Sequence, residues 1–187
     1  MDRGCLAPDV AGVPPAGWHA IAQLLYREAE NLDAGRLGTV WKKAGKWRGT
    51  NTDAMAVIRP LSKKLRLPKS SVLLAGNGGA ARSAAYALTE AGAKLSNTGR
   101  NADRVRALAK ACGAEAVFVS QLAGKQFDAV VHATPLGMFP NLTECFFPDR
   151  IPAGVVFDIV DNPLETEQLR RAGTQRLETI SGLEMFQ

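Results

Sequence analysis

Val72-Leu73-Leu74-Ala75-Gly76-Asn77-Gly78-Gly79-Ala80-Ala81 is the stretch from which the rest of this chain is read. Its first four residues are a short apolar run, the signature of a strand buried on both faces of a parallel sheet. The next six match G-x-G-x-x-G/A. Gly76 permits a tight strand-to-helix turn, Gly78 keeps side chains away from an approaching pyrophosphate, and Ala81 lets the helix lie close to the sheet. An alanine-rich segment then predicts a helix over 78–91, closed by Gly92. Such a helix turns its unpaired N–H groups and the positive end of its dipole toward the phosphates. A glycine-rich turn can be no more than a turn, but one set between an apolar strand and a helix points to a dinucleotide.

Downstream the same rhythm continues. Further strands are expected at 94–97, 116–119, 129–133, 155–159 and about 176–180, with helices at 102–111 and 164–172. The alternation predicts an α/β protein with a doubly wound, Rossmann-type parallel sheet in the order 3-2-1-4-5-6. Upstream, Trp18, Ile21, Leu24 and Leu25 mark an amphipathic helix over 17–32. Residues 39–43 and 46–49 read as a hairpin with basic residues about its turn, and 53–65 as a helix interrupted at Pro60. Residues 67–70 resemble a linker.

Composition narrows the class. The 187 residues are 46% hydrophobic and 22% charged, the balance of a globular protein. No apolar h-region and no membrane-length apolar stretch occurs, so neither a secretory leader nor a membrane partner is expected. Cys5, Cys112 and Cys145 are too few and too scattered for a disulfide framework or zinc site, and His19 and His132 are the only histidines. That pattern suits a cytoplasmic protein without a metal. The net charge of +5 invites a polyanion, and its placement decides which. Trp41, Lys42, Lys43, Lys46, Trp47 and Arg48 could stack and hold nucleic acid on the hairpin, but one hairpin is a small footprint. No nucleic-acid partner is expected.

The second strand ends at Asn97-Thr98-Gly99-Arg100. An NAD site needs an Asp or Glu near here to accept from the ribose 2′-OH. No acid occurs from Lys94 to Ala102; Arg100 and Arg104 stand there instead, and two guanidinium groups can bracket a 2′-phosphate. The cofactor expected is NADP. The plainer alternative is a pair of solvated surface arginines.

Six segments in register carry a resemblance to a known family: Gly49-Thr50-Asn51-Thr52-Asp53, Gly76 to Arg82, Thr98-Gly99-Arg100-Asn101, Ala133-Thr134-Pro135-Leu136-Gly137-Met138, Asp158 to Thr166, and Gly182-Leu183-Glu184-Met185. From about residue 36 onward the chain resembles shikimate dehydrogenase, including forms fused behind a dehydroquinate dehydratase. The resemblance implies a two-lobed oxidoreductase that passes hydride between NADPH and 3-dehydroshikimate in aromatic amino-acid biosynthesis. It implies that Asp53 binds a substrate hydroxyl and pairs with a catalytic lysine; a helix cap at Asp53 is the alternative and does not exclude that role. It places cofactor contacts at Gly76, Asn77, Gly78, Gly79, Ala80, Gly99, Arg100, Asn101, Arg104, Ile159 and Gly182. Thr134 and Met138 end the fourth strand, at the crevice expected to hold the nicotinamide. His132 lies among apolar neighbours where the family usually has Asn, and reads as a packed, hydrogen-bonded histidine rather than a proton donor. Asp158, in an apolar strand, must be hydrogen-bonded, as a structural anchor or as support for the crevice.

Departures from the family pattern fall in the substrate part. Residues 1–50 contain neither a Ser-x-Ser clamp nor an Asn-Val-Thr-x-Pro-x-Lys stretch. Gly38 stands where the family has a substrate-binding Asn, and Asp161 where it has a Tyr; the Gln expected after Met185 is not reached by Gln187. Lys42, Lys43, Lys46 and Lys63 are poor replacements for the missing lysine, since nothing places them at a reacting oxygen. Residues 1–66 are thus expected to be a shortened substrate lobe with a linking helix, and 67–187 the NADP-binding domain. A dehydrogenase and a non-catalytic NADP-binding fragment both remain as readings, as do a homodimer and a lobe supplied from elsewhere.

Overall fold

Parallel strands whose side chains are apolar on both faces need helices on both sides, and the segment from Ser71 onward supplies them. The structure is a computed structural model, and it describes residues 39–43, 46–50 and 52–186. The chain divides into two units, Met1–Asp53 and Ala54–Gln187. In the first, β1 (Thr39–Lys43) and β2 (Lys46–Thr50) pair antiparallel, from Thr39 opposite Thr50 to Lys43 opposite Lys46. The expected helix over 17–32 and the hairpin's turn lie outside the described residues.

Helix α1 (Thr52–Ser62) leads into the second unit, where β3 (Ser71–Ala75) is followed by α2 (Gly79–Glu90), β4 (Lys94–Thr98), α3 (Ala102–Cys112), β5 (Glu115–Ala116), β6 (Phe127–His132), β7 (Ala153–Asp158), α4 (Glu167–Thr174) and β8 (Glu178–Ile180). The sheet order is β5-β4-β3-β6-β7-β8, all parallel, which is the doubly wound order 3-2-1-4-5-6. In β3 the period of two serves two cores: Val72 and Leu74 join Ala81, Ala84 and Leu88 of α2 and Val57 and Leu61 of α1, while Leu73 faces Val130, Val156 and Leu169. Among the described residues no helix is long and apolar enough to cross a membrane.

The structure corrects four expected elements. Pro60 does not interrupt α1; it is buried inside it, and the helix runs on to Ser62. A mid-helix proline costs about 3 kcal/mol. Val57 and Leu61, 1% and 0% exposed, flank it, and burying each such side chain contributes roughly 1.5–3 kcal/mol, so packing wins. The third strand is only Glu115–Ala116, because Phe118 turns away to cap a 3-10 turn, donating its N–H to Gln121 Oε1 at 3.0 Å. Helix α4 begins at Glu167 rather than near Leu164, since Thr166 caps it by accepting from Leu169 N–H at 3.2 Å. The last strand begins at Glu178, since Arg176 takes a left-handed φ of 57° in the turn before it.

Candidate functional site

The carboxyl ends of β3, β4, β6 and β7 meet at one end of the sheet, and the second unit's candidate residues collect there. Gly76 leaves β3 with a φ of 129°, and a Cβ there would run into the Ala133 carbonyl, so the turn can pass only without a side chain. Gly76 N–H donates to Thr98 O at 2.9 Å, and Ala133 N–H to Ala75 O at 2.8 Å, tying this turn to the ends of β4 and β6. Gly78, by contrast, has nothing within 4 Å of a Cβ built on it. Gly79 and Ala80 open α2, whose N-cap Gly78 has no side-chain cap and whose first turn holds no acid. Every other α-helix among the described residues has an acid in its first turn: Asp53, Asp103 and Glu167. The start of α2 therefore has neither a side-chain cap nor an acid of its own to offset the positive end of its dipole.

Asn97 was missed as a functional residue in the sequence, though a polar residue within a strand was the available signal. It is fully buried, and its Nδ2 donates to Leu74 O at 3.0 Å and Gly76 O at 2.7 Å, clamping the turn to β4. The Asn77 amide lies over Gly99, its Nδ2 2.7 Å from where a Cβ of Gly99 would sit. Asn77 Nδ2, Asn97 Oδ1 and Thr98 Oγ1 are buried and have no hydrogen-bond partner.

Arg100 is exposed in the loop before α3, and Arg104 is exposed in that helix's first turn. Asn101 between them caps α3, accepting from Arg104 N–H at 3.0 Å, which gives it a structural role. Neither guanidinium makes a hydrogen bond or ion pair among the described residues, whereas neighbouring Arg106 pairs with Asp103 at 3.0 Å. Cations at a helix N-terminus oppose its dipole, a cost of about 0.3–1 kcal/mol each that an anion would remove.

At the carboxyl ends of β6 and β7, His132 and Asp158 are fully buried. Imidazole Nδ1 lies 2.9 Å from Asp158 Oδ1 and Nε2 2.6 Å from Thr134 Oγ1. Asp158 also accepts from Val160 N–H at 3.1 Å and Thr166 hydroxyl at 2.6 Å. His132 is thus the packed, hydrogen-bonded residue expected, and Asp158 is the anchor that joins β6, β7 and the start of α4. Met138, 42% exposed, follows Gly137, whose φ is 88°. Ile159 N–H donates to His132 O at 3.1 Å while its side chain packs on the core. Gly182 sits where a Cβ would strike the Val160–Asp161 backbone, which is a packing reason for glycine there. Asp53 lies half-buried in the first turn of α1, one residue inside the helix start, and belongs to the first unit.

Sheet order and glycine turn define a Rossmann-type α/β domain. No family model matches the chain. It is 35% identical over 160 residues to the NADP(+) shikimate dehydrogenase of Oleidesulfovibrio alaskensis, covering 82% of this chain and 57% of that protein. It is 30% identical over 197 residues to the enzyme of that name from Methanococcus maripaludis, covering 98% of this chain and 70% of the other. The crystal structure of shikimate 5-dehydrogenase from Thermus thermophilus with NADP(H) and shikimate superposes with a TM-score of 0.74 at 33% identity, over 82% of this chain and 59% of that one. The chain belongs to the shikimate dehydrogenase family. It spans somewhat over half the length of the Oleidesulfovibrio relative.

Proposed function

We propose that the chain binds NADP and acts as an oxidoreductase of the shikimate dehydrogenase type, interconverting 3-dehydroshikimate and shikimate. The observation that carries the cofactor is the pair of unengaged guanidiniums, Arg100 and Arg104, set beside a bare helix N-terminus. The first turn of α2 would hold the pyrophosphate with backbone N–H groups. The two arginines would hold the 2′-phosphate, which no carboxylate between Lys94 and Ala102 repels. The orphaned polar atoms of Asn77, Asn97 and Thr98 fit a polar ligand along the same turn. When bound, the cofactor supplies or accepts hydride. Thr134, Met138, Ile159 and Gly182 would line its nicotinamide side, and Asp53 would bind a hydroxyl of the substrate.

Calorimetric titration with NADPH and NADH tests the first half, and shikimate-dependent reduction of NADP tests the second. NADPH should bind well over tenfold more tightly than NADH, since charged hydrogen bonds contribute about 1.5–3 kcal/mol each. In the Arg100→Ala, Arg104→Ala double variant that preference should vanish while NADH binding stays unchanged. Equal affinity of the wild type for both nucleotides would sink the reading. Binding without turnover would assign the chain the narrower role of an NADP-binding domain.

A further inference from the structure

We propose that His132 is a positioning residue that holds the 134–138 turn against the nicotinamide half of the cofactor; this rests on the function proposed above. The hydrogen bonds around it run in one direction. An ionised carboxylate only accepts, so the bond of 2.9 Å to Asp158 Oδ1 places the imidazole proton on Nδ1. In the neutral imidazole Nε2 is then an acceptor, and at 2.6 Å its donor is the Thr134 hydroxyl. That hydroxyl oxygen in turn accepts from Leu136 N–H at 3.3 Å, which closes the turn. On the far side Asp158 is held by Val160 N–H and by Thr166, whose oxygen accepts from Leu169 N–H at 3.2 Å. Each member of the chain then has its partner.

Such a chain is a costly way to fill space between two strands, because a half-satisfied polar network is worse than an apolar core. What it fixes that Val or Leu would not is the orientation of Thr134. Thr134 is half-buried at the carboxyl end of β6, beside the Gly76 turn that Ala133 abuts. With its proton committed inward to His132, the hydroxyl cannot rotate, and the 134–138 backbone is presented to the crevice in one arrangement.

The test separates the two halves of the cofactor. His132→Asn keeps a donor for Asp158 but is too short to reach Thr134; Thr134→Val removes the hydroxyl at nearly constant shape. Each should weaken NADPH about five- to tenfold while leaving 2′,5′-ADP, which lacks the nicotinamide half, within about twofold of wild type. The double variant should be no weaker than the weaker single one, since both remove the same link. Thr134→Ser should restore wild-type affinity, and this Val/Ser pair decides the matter by itself if His132→Asn does not fold. Equal losses for NADPH and 2′,5′-ADP, unchanged NADPH binding, or losses that multiply in the double variant would each overturn the inference while sparing the proposed function. A wild type that binds neither ligand would overturn both.

Discussion

Gly76 and Gly78 stand close in sequence but answer to different demands. The first has a positive φ of 129° and a carbonyl where a Cβ would go. Gly76→Ala should therefore lose about 2–3 kcal/mol in chemical denaturation, from backbone strain and the clash together. At Gly78 the space is open and φ is −76°, so alanine should cost at most about 1 kcal/mol through the poorer N-cap. Under the proposed phosphate binding at this turn its methyl would meet the pyrophosphate, so NADPH affinity should fall much further than stability. Similar affinity losses from Gly78→Ala and from a neutral surface change would argue against phosphate binding at this turn.

Helix α4 shows what capping does at the scale of an element. Thr166 both closes the helix and donates to Asp158, so Thr166→Val should remove about 1–3 kcal/mol of stability, read by thermal or urea unfolding. Glu167 follows in the first turn, where Arg170 first and Arg171 second hold its carboxyl down to about 2 from an ordinary 4.5. A carboxylate whose pKa drops on folding stabilises the fold above its unfolded pKa and loses that contribution as pH falls toward the folded one. The stability difference between wild type and Glu167→Gln should be complete above about pH 4.5 and shrink between there and about pH 2, followed by acid titration of unfolding.

The same helix marks how far elements can be read from sequence. Apolar runs such as Val72–Leu74 and Val130–Val131 announce themselves because both faces of the sheet are covered, and the order of the strands follows from the alternation. The start of α4 did not: Thr166 caps it locally by accepting from Leu169 N–H, but the bond to Asp158 that fixes its hydroxyl joins residues whose pairing no local pattern reveals. Pro60 failed as a stop signal for a related reason: the burial of Val57 and Leu61 outweighs local preference. In the site, the glycine turn and the two arginines were legible as spacing. The clamp by Asn97 and the polar chain through His132 were not, since each joins residues from different strands.

At the scale of the molecule, a ligand that binds only the folded chain adds to its stability by mass action. NADPH at a hundred times its dissociation constant should add about 2.7 kcal/mol, and NADH at the same concentration far less. A thermal melt with each nucleotide reads this directly, and identical shifts for the two would contradict the 2′-phosphate reading. A separate consequence lies at the flanks of the sheet. It ends on one side with Glu115–Ala116 and on the other with Glu178–Ile180, and the glutamates there are tied to Lys125 at 3.4 Å and Lys64 at 2.9 Å. Strands so brief and so charged give a foreign backbone almost nothing to zip onto. Four inner strands, three of them rich in valine and leucine and the stuff of fibrils if laid bare, are thereby fenced off from the rest of a crowded solution.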